Sequence, residues 1–537
     1  MADTSASLSG LRSRGTSFDA IVIGAGHNGL VCASRLAKAG RKVVVLEAGD
    51  EVGGAARTVE FSAGFRVSHV AHLLNMLDPR VAKSLELERH GLKLAARNVP
   101  SVALDRGGRH LVLEGAFGER LSGDVSDGDR AAWSALRKKL LRYAAVLGAA
   151  KTDLPPRLGA GDWKDLSTLG KLGLAIRRLG KDDMREFLRL VLINVADVLE
   201  EDLTDDRLKG LVAFDAVLGT HLGPRSPNSL MTLYYRLSGE VGGAPGAQAL
   251  PVGGMGAVSD ALAAAARAQG AEIRLGVRAL SITVEDDRAT GVTLATGEHL
   301  SAPVVVSAAN PRTTLIELLG PRHLDTGFVR QLSNVRMRGN AAKLHLALDG
   351  LPEFRGLDKT LAAGRLVIAP SVDAVENAFN PAKYAEASPE PVMEIVTPSL
   401  ADPALAPPGR HVLSAIVQYA PHELKGGWSE EARARYIDLC LDTLEAYAPG
   451  IRRLVVASEL LAPPDLEARY GLVGGHWHHG ELGVDQLFML RPVAGAHRYG
   501  TPLPGLFLAG AGSHPGGGVS GAPGFNAAER IIAEVGR

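Results

Sequence analysis

A glycine-rich turn and one carboxylate near the start of the chain have the types and the spacing needed to bind a nucleotide. Gly24, Gly26 and Gly29 form a GxGxxG pattern, and Glu47 lies 23 residues after Gly24. Glycine at these positions permits a tight turn, close approach of a pyrophosphate and close packing of the next helix. The helix N-terminus attracts the phosphates, and the Glu47 carboxylate can accept both ribose hydroxyls while repelling a 2′-phosphate. The alternative is a structural glycine turn with a solvated glutamate.

A second glycine pair follows in the stretch "DEVGGAARTVEF", residues 50–61. Gly53 and Gly54 leave the backbone bare, and Arg57 supplies a cation a few residues later. This combination suits a second approach to the pyrophosphate. The alternative is an ordinary glycine-rich turn with a surface arginine.

The third glycine-rich stretch, "GAGSHPGGGVSGAPG" at residues 510–524, has seven glycines in fifteen positions. It follows the apolar run "GLFLA" and leads into "FNAAERIIAEV", which has the pattern of a short helix. Because flexible tails are polar and this stretch is flanked by core-like sequence, we predict that something flat and bulky lies against its backbone.

The elements that must position these residues form an α/β pattern. Residues 18–49 read as a βαβ unit, with a short buried strand, a helix over 28–39 and the apolar strand "KVVVLE". Residues 129–240 are helix-periodic, and a βα unit returns from residue 250, followed by short strands. Residues 340–490 mix strands and helices, with "NAAKLHLALDG", "GRHVLSAIVQYA" and "VVASELLA" as the clearest strands.

The composition excludes several classes of protein. Lys plus Arg equals Asp plus Glu at 59 each, so no overall charge recruits nucleic acid. The two cysteines, Cys32 and Cys440, are far apart, which excludes a CxxC redox pair, a cysteine zinc site and a disulfide-dense scaffold and favours the cytoplasm. The first residues lack a signal-peptide pattern, leaving a disordered leader as the prediction and a transit peptide as the alternative.

No run of the sequence is long and apolar enough to predict a membrane span. The stretch "LSTLGKLGLAIRRLGKDD", residues 166–183, has apolar and basic faces and could lie on a membrane surface. We favour packing of this helix against its own domain, and keep a peripheral membrane contact as the alternative.

These motifs together resemble the amine oxidase and phytoene desaturase branch of the glutathione-reductase-type FAD proteins. The segments "VIGAGHNGLV", "GGMGAVSDALA", "DQLFMLRP" and "LAGAGSHPGGGVSGAPGFNAA" are most similar to phytoene desaturase-related proteins, and among them to the group called pyridine nucleotide-disulfide oxidoreductase domain-containing protein 2. Despite that name, the absence of CxxC excludes disulfide reduction. The absence of a second strand-linked GxGxxG argues against a dedicated NAD(P)H domain.

The resemblance implies a bound FAD and assigns its ends. The C-terminal glycines would pass the flavin ring, with the last helix beginning around 521–526, and Val277 would meet the adenine through its backbone. The helix dipole would stabilise the negative charge on the reduced ring by roughly 0.3–2 kcal/mol. The implied FAD-binding residues are Gly24, Gly26, Gly29, Glu47, Gly53, Gly54, Arg57, Val277, Gly510, Gly517, Gly518 and Val519.

Histidines are the candidates for catalysis. His514 precedes Pro515 beside the flavin loop and is the best single candidate for touching substrate or ring. His476, His478 and His479 invite a metal reading, but without an HExxH or cysteine partner we expect no metal and prefer a role in lining the pocket. The candidate catalytic residues are His514, His478 and His476. His69 and His72 lie in the segment that the resemblance directs toward the substrate cavity; each histidine has a structural alternative.

The expected fold is α/β, with a discontinuous FAD-binding (Rossmann-like) domain of the glutathione-reductase type and a substrate domain of mixed sheet plus helices. The predicted FAD-binding segments are 18–128, 241–335 and 491–537, the predicted substrate segments are 129–240 and 336–490, and the predicted disordered leader is 1–17.

The implied reaction is FAD-dependent dehydrogenation that introduces a C=C bond into an apolar, isoprenoid-like substrate, with oxygen or a quinone as electron acceptor. Two alternatives stay open: oxidation of a C–N bond, and a non-catalytic lipid carrier of the same fold. The intact GxGxxG, Glu47 and Arg57 set argues against the carrier.

Overall fold

The computed structural model of the chain describes residues 17–157 and 162–535. The predicted leader, residues 1–17, lies outside these residues except for Ser17, which forms a bridge with Ser301. In the described part, no helix has the length and apolar character needed to cross a membrane.

Runs of strands and runs of helices follow one another along the chain. The strands are β1 (Ala20–Ile23), β2 (Val43–Leu46), β3 (Thr58–Ser62), β4 (Phe65–Ser68), β5 (Leu94–Arg97), β6 (Ser101–Ala103), β7 (Leu111–Glu114), β8 (Arg120–Gly123), β9 (Glu240–Val241), β10 (Ala244–Pro245), β11 (Ala249–Pro251), β12 (Glu272–Arg274), β13 (Ala279–Glu285), β14 (Arg288–Leu294), β15 (His299–Ser301), β16 (Val304–Ser307), β17 (Ala341–Leu348), β18 (Arg365–Ile368), β19 (Val392–Val396), β20 (His411–Gln418), β21 (Val455–Leu461) and β22 (Leu506–Leu508).

The helices are α1 (His27–Lys38), α2 (Pro79–Ser84), α3 (Asp127–Ala149), α4 (Trp163–Arg177), α5 (Lys181–Leu190), α6 (Val195–Asp202), α7 (Asp206–Val217), α8 (Ser229–Leu237), α9 (Gly256–Ala268), α10 (Thr326–Ser333), α11 (Val372–Phe379), α12 (Glu430–Tyr447), α13 (Ile451–Leu454), α14 (Pro463–Tyr470) and α15 (Ala522–Val535).

A five-stranded parallel sheet, in the order β12-β2-β1-β16-β22, assembles segments from both ends of the chain. Its central strand β1 pairs Ala20 with Val304 on one side and with Val43 on the other. Both faces are covered, which explains why β1, β2 and β16 are almost entirely apolar. The helices α1, α9 and α15 pack together on one face of this sheet.

A second sheet of eight strands, in the order β21-β17-β20-β19-β18-β6-β7-β8, forms the other half of the molecule. It is antiparallel except where β6 and β18 run parallel. The three strands predicted between 340 and 490 are confirmed as β17, β20 and β21. One face of this sheet packs on α12, and the other faces the helical layer.

The described part of the predicted helical region 129–240 contains the helices α3 to α8. Their apolar faces share one core with β18 and β19, in which Trp133, Phe214 and Tyr234 are buried. The strands β6 to β8 come from the predicted FAD segment 18–128 but pair in the eight-stranded sheet. Sheet membership therefore crosses the boundary placed at residue 128, and the domain boundaries stay a prediction.

Candidate functional site

The first two glycine-rich segments lie side by side at the end of β1. Gly24 has a positive φ of 95°, so the chain turns there in a conformation that suits glycine. Gly26 forms a parallel bridge with Gly53, whose N–H donates to the Ala25 carbonyl at 2.9 Å. The structure thus brings together the GxGxxG turn and the Gly53–Gly54 pair that the sequence treated as two approaches to one pyrophosphate.

Gly26 and Gly29 are glycines for different reasons. A Cβ added to Gly29 would lie 2.0 Å from the Gly24 carbonyl oxygen, so this glycine allows α1 to pack on the turn. A Cβ added to Gly26 would have no described atom within 4 Å. Gly26 is also the N-cap of α1 and provides no side-chain hydrogen bond to the free amides there. An open cradle at an uncapped helix N-terminus fits a phosphate group.

Glu47 lies directly after β2, beside this cradle. Its carboxylate oxygens accept hydrogen bonds from the N–H groups of Ala25 at 2.7 Å and Gly49 at 2.9 Å. An ionised carboxylate has about four acceptor positions, so Glu47 retains capacity for ribose hydroxyls. The Glu47 carbonyl accepts from the Val277 N–H at 2.7 Å, which places Val277 next to the predicted ribose position.

Arg57 is held by acidic neighbours. Its Nη2 lies 2.6 Å from Glu51 and 3.3 Å from Asp50, and its side chain is 18% exposed. The guanidinium is therefore already paired with carboxylates. The sequence had suggested Arg57 as a cation that is available to the pyrophosphate.

The C-terminal glycine-rich segment lies against the start of α1. A Cβ on Gly524 would be 2.0 Å from the Asn28 carbonyl oxygen, and His27 Nε2 is 3.0 Å from the Gly518 carbonyl oxygen. Both ends of the predicted FAD site are thus built on the same helix N-terminus.

Protein atoms lie close to Gly510 and to the glycines 516–518. A Cβ on Gly517 would lie 2.5 Å from His478 Cα, and the Gly517 carbonyl accepts from the Tyr235 hydroxyl at 2.6 Å. A Cβ on Gly518 would lie 2.9 Å from Met76 Sδ, and one on Gly510 would lie 2.4 Å from the Ala308 carbonyl oxygen. Close packing within the chain is thus one reason for bare backbone here, and the predicted contact of these glycines with a flat ligand stays a prediction.

A cavity with about 940 Å³ of space free of protein atoms, part of it open to solvent, lies where this segment meets α7, α8 and the eight-stranded sheet. The C-terminal glycine-rich segment, the singled-out histidines His72 and His478, and the helices α7 and α8 meet in this cavity. Its lining comprises His27, Ala55, Val70, Ala71, His72, Leu73, Asn75, Met76, Asp215, Leu218, Thr232, Tyr235, Arg236, Glu394, Ile416, Trp477, His478, Leu482, Gly518 and Val519.

A chain of buried polar groups forms one wall of this cavity. His72 Nε2 lies 2.7 Å from Glu394, and its Nδ1 lies 2.9 Å from Lys343 Nζ. Burial and the nearby Lys343 lower the pKa of His72 to about 4, and burial lowers the pKa of Lys343 to about 7. Burial opposes ionisation of Glu394, but Arg365 and His72 together hold the pKa of that carboxyl well below its usual range.

Two arginines neutralise the carboxylates of this wall. Arg365 is fully buried and is bonded to both Glu394 and Asp215. Arg236 lies 2.8 Å from Asp215. Each carboxylate that faces the cavity is therefore already paired with a cation.

The three predicted catalytic histidines do not line the same cavity. His478 lines the main cavity, and its buried Nδ1 has no hydrogen-bond partner among the described residues. His514 faces a smaller pocket beside Lys151 and Phe488, and its Nε2 is 3.1 Å from the Ala150 carbonyl oxygen. His476 is buried outside both linings. Burial lowers the pKa of His478 far below its ordinary value and those of His476 and His514 to about 3.

Arg491 holds the loops behind His478 together. Its guanidinium donates to carbonyl oxygens of five residues, including His478 and Ala511, and the described part of the chain offers it no ion pair. Burial lowers its pKa to about 10, so the group stays charged at neutral pH. This buried positive charge helps to keep His476 and His478 neutral.

One further cluster among the described residues has the geometry of metal ligands. A ring nitrogen of His69, one of His345 and a carboxylate oxygen of Glu459 lie within 4.8 Å of one another. Both nitrogens of His69 are already engaged, by Tyr470 and Glu459, and Glu459 also pairs with Arg469 at 2.7 Å. His345 forms a hydrogen bond only through Nε2, which lies 3.2 Å from the His69 carbonyl oxygen, and its Nδ1 has no hydrogen-bond partner among the described residues. The expectation of no metal stays a prediction.

The buried wall contains residues that the sequence interpretation missed: Lys343, Glu394, Arg365, Asp215 and Arg236. A signal for three of them was present, because Lys343, Arg365 and Glu394 are isolated charged residues in otherwise apolar strand segments. A charge at such a position indicates a buried pair.

Comparisons with known proteins agree with this architecture. The family model of the flavin-containing amine oxidoreductases matches residues 29–532. The chain is 36% identical to "Pyridine nucleotide-disulfide oxidoreductase domain-containing protein 2" of Mus musculus, over 96% of this chain and 94% of that protein. It is 26% identical to a "Phytoene desaturase (lycopene-forming)" of Pseudescherichia vulneris, over 93% and 96% of the two chains.

A solved structure shows the same fold. Cyclohexylamine oxidase from Brevibacterium oxydans IH-35A superposes with a TM-score of 0.58 at 18% identity, covering 97% of this chain and 100% of that one. The expected glutathione-reductase-type FAD fold is therefore confirmed, and FAD is the implied cofactor. The chain belongs to the flavin-containing amine oxidoreductase family and is an FAD-dependent oxidoreductase.

Proposed function

We propose that this oxidoreductase dehydrogenates an apolar, isoprenoid-like substrate and introduces a C=C bond. When bound, FAD would supply the acceptor for a hydride from one substrate carbon and would pass the two electrons on to oxygen or a quinone. The chain would orient the substrate and take up the proton from the neighbouring carbon.

The cavity wall supports an apolar substrate over an amine. Most of its lining is aliphatic or aromatic, as at Val70, Leu73, Ile416, Trp477 and Leu482. Its two carboxylates, Asp215 and Glu394, are neutralised by Arg236 and Arg365. A substrate ammonium would lose its water and find no free carboxylate, which is costly for a buried charge. This pairing is the observation that carries the proposal.

His478 is the proposed proton acceptor. Its ring lines the cavity, it is neutral, and its Nδ1 has no hydrogen-bond partner among the described residues. Burial lowers its pKa far below the ordinary value, so it is a weaker base than a solvent-exposed histidine. His72 is less suitable, because both of its ring nitrogens are engaged by Glu394, Lys343 and Ser414. His514 and His476 lie outside the cavity lining and are assigned to support of the loops.

The proposed FAD contacts follow the assignment predicted from the sequence. The open cradle around Gly26 would hold the pyrophosphate, with Gly53 and Gly54 beside it, and Glu47 and Val277 would lie at the adenosine end. Gly518 and Val519 line the cavity and would lie at the ring end.

The test is anaerobic mixing of the FAD-loaded protein with panels of isoprenoid hydrocarbons and of amines, with flavin bleaching as the signal. We expect bleaching with apolar compounds and none with amines. Bleaching by amines alone would contradict the proposal and establish C–N oxidation instead. A His478→Gln variant should retain FAD and its spectrum while substrate reduction slows about 10²- to 10⁴-fold, as for a lost general base.

A further inference from the structure

Helix α4 (Trp163–Arg177) has a row of apolar side chains that is exposed to solvent. Trp163 is 81% exposed, Leu166 53% and Leu174 47%. At 100° per residue these three side chains fall within an arc of about 80° on one face of the helix. The packing of this stretch against its own domain, which the sequence favoured, is present on the inward face, but the structure leaves this row of apolar side chains in solvent.

The opposite side of α4 is already fully used by the protein. Leu172, Ala175 and Ile176 pack against the core of the helical layer. Asp165, also on that side, is buried between Arg157 at 3.0 Å and Arg498 at 2.8 Å. The inward face is therefore fixed, and rotating the helix to hide Trp163 would break two ion pairs.

Cations surround the exposed apolar row. Lys164, Lys171, Arg177 and Arg178 are all exposed, and the only acidic residue within α4 is the buried Asp165. Two acidic residues lie nearby: Asp162 is the N-cap of α4, and Asp153 lies 3.7 Å from Lys171 Nζ. The neighbouring α5 (Lys181–Leu190) and the turn after it add two more exposed apolar side chains, Leu188 at 55% and Leu192 at 59%. An exposed tryptophan and leucines with flanking Lys and Arg are the pattern of a helix that lies in the interface of an anionic bilayer.

We propose that the exposed face of α4 binds the surface of an anionic lipid membrane. Trp163, Leu166 and Leu174 enter the boundary between headgroups and acyl chains, and the four cations contact the headgroups. The row is a narrow convex strip on one helix, interrupted by Gly170 and Gly173, which suits a fluid lipid surface better than a shaped protein partner. This inference does not depend on the reaction proposed above.

The test is co-sedimentation of the FAD-loaded protein with vesicles of phosphatidylcholine alone or mixed with phosphatidylserine. We expect binding to the mixed vesicles, weakened by salt. The triple variant Trp163→Ser, Leu166→Ser, Leu174→Ser should bind about tenfold or more weakly, because apolar burial supplies much of such binding. Each of Lys171→Gln, Arg177→Gln and Arg178→Gln should weaken binding about fivefold, the equivalent of about 1 kcal/mol per cation near the surface.

A matched control uses exposed apolar residues elsewhere. Tyr384 is 74% exposed and Val456 50%, so Tyr384→Ser and Val456→Ser remove similar surface and should leave vesicle binding unchanged. Flavin content and the melting temperature verify that each variant is folded. The proposal is overturned if the unmodified protein ignores both vesicles or if the triple variant binds as well as the control. It is also overturned if the triple variant instead converts an oligomer to monomer.

Discussion

The two glycine-rich ends of the proposed FAD site look alike in sequence but differ in what surrounds them. At Gly26 a side chain would enter open space, beside an uncapped helix N-terminus. In the C-terminal segment, Gly510, Gly517 and Gly524 each have a protein atom within 2.5 Å of where a Cβ would be. The first arrangement leaves room for a ligand, and the second fits the chain closely to itself.

Because of this difference, substitutions at one end should mainly affect FAD binding and substitutions at the other should mainly affect folding. Substitution at the N-terminal cradle should mainly change FAD affinity, whereas substitution in the C-terminal segment should change the protein with or without FAD. Four experiments test this distinction.

The largest effect is expected from acid, and it should come from the C-terminal end. Burial lowers the pKa of His476, His479 and His514 to about 3, against an ordinary value near 6.5. Below pH 6.5 the unfolded chain takes up protons that the folded chain refuses, so stability is full above about pH 7 and falls as the pH drops. Each such histidine should cost about 2 kcal/mol at pH 5.

Urea unfolding of the apoprotein at pH 7 and pH 5 measures this loss. His514→Gln removes one of these groups and should reduce the pH dependence of the free energy of unfolding by the contribution of one proton. An apoprotein equally stable at both pH values would show that these histidines are not buried in neutral form.

Gly524→Val should destabilise the protein by about 3 kcal/mol, because overpacking a fitted contact forces the backbone apart. The new side chain would collide with the Asn28 carbonyl and push α15 off α1. Thermal unfolding of the apoprotein is the measurement. Gly500→Ala is the control, since a Cβ there meets no described atom within 4 Å. A normal melting temperature in the valine variant would show that this end is as open as the other.

Gly26→Val should leave the apoprotein folded but weaken FAD binding by on the order of 100-fold, equivalent to about 2.7 kcal/mol. The valine fits the extended backbone of Gly26, where φ is −67°, but fills the cradle. Titration of the apoprotein with FAD, with melting of the apoprotein alongside, checks both halves. Unaltered affinity would place the pyrophosphate elsewhere.

Glu47→Gln should have the smallest effect, weakening FAD binding by about tenfold, since hydrogen bonds to a charged group contribute about 1.5–3 kcal/mol. The same change leaves the Ala25 and Gly49 amides with only one acceptor oxygen, so a modest drop in apoprotein stability should accompany it. Stability lost without any change in FAD affinity would make Glu47 a structural residue.

The sequence predicted the local parts of this molecule well. The βαβ unit, the helical region and the three strands of the second half depend on periodicity over a few residues, and each is present. The buried wall was missed because its contacts are non-local: His72, Lys343 and Glu394 come from three distant segments, and their pairing depends on strand order. For Gly517 the bareness of the backbone was recognised but the neighbour, His478, was not.

The arrangement of the parallel sheet also has a consequence for the synthesis of the protein. The helix α1 and the strand β1 are synthesised well before β16, the pairing partner of β1, and α15, the packing partner of α1. Until α15 has been made, one face of α1 lacks its apolar cover, and the glycine-rich segment before α15 is missing. We expect FAD to be captured only after this segment has been synthesised.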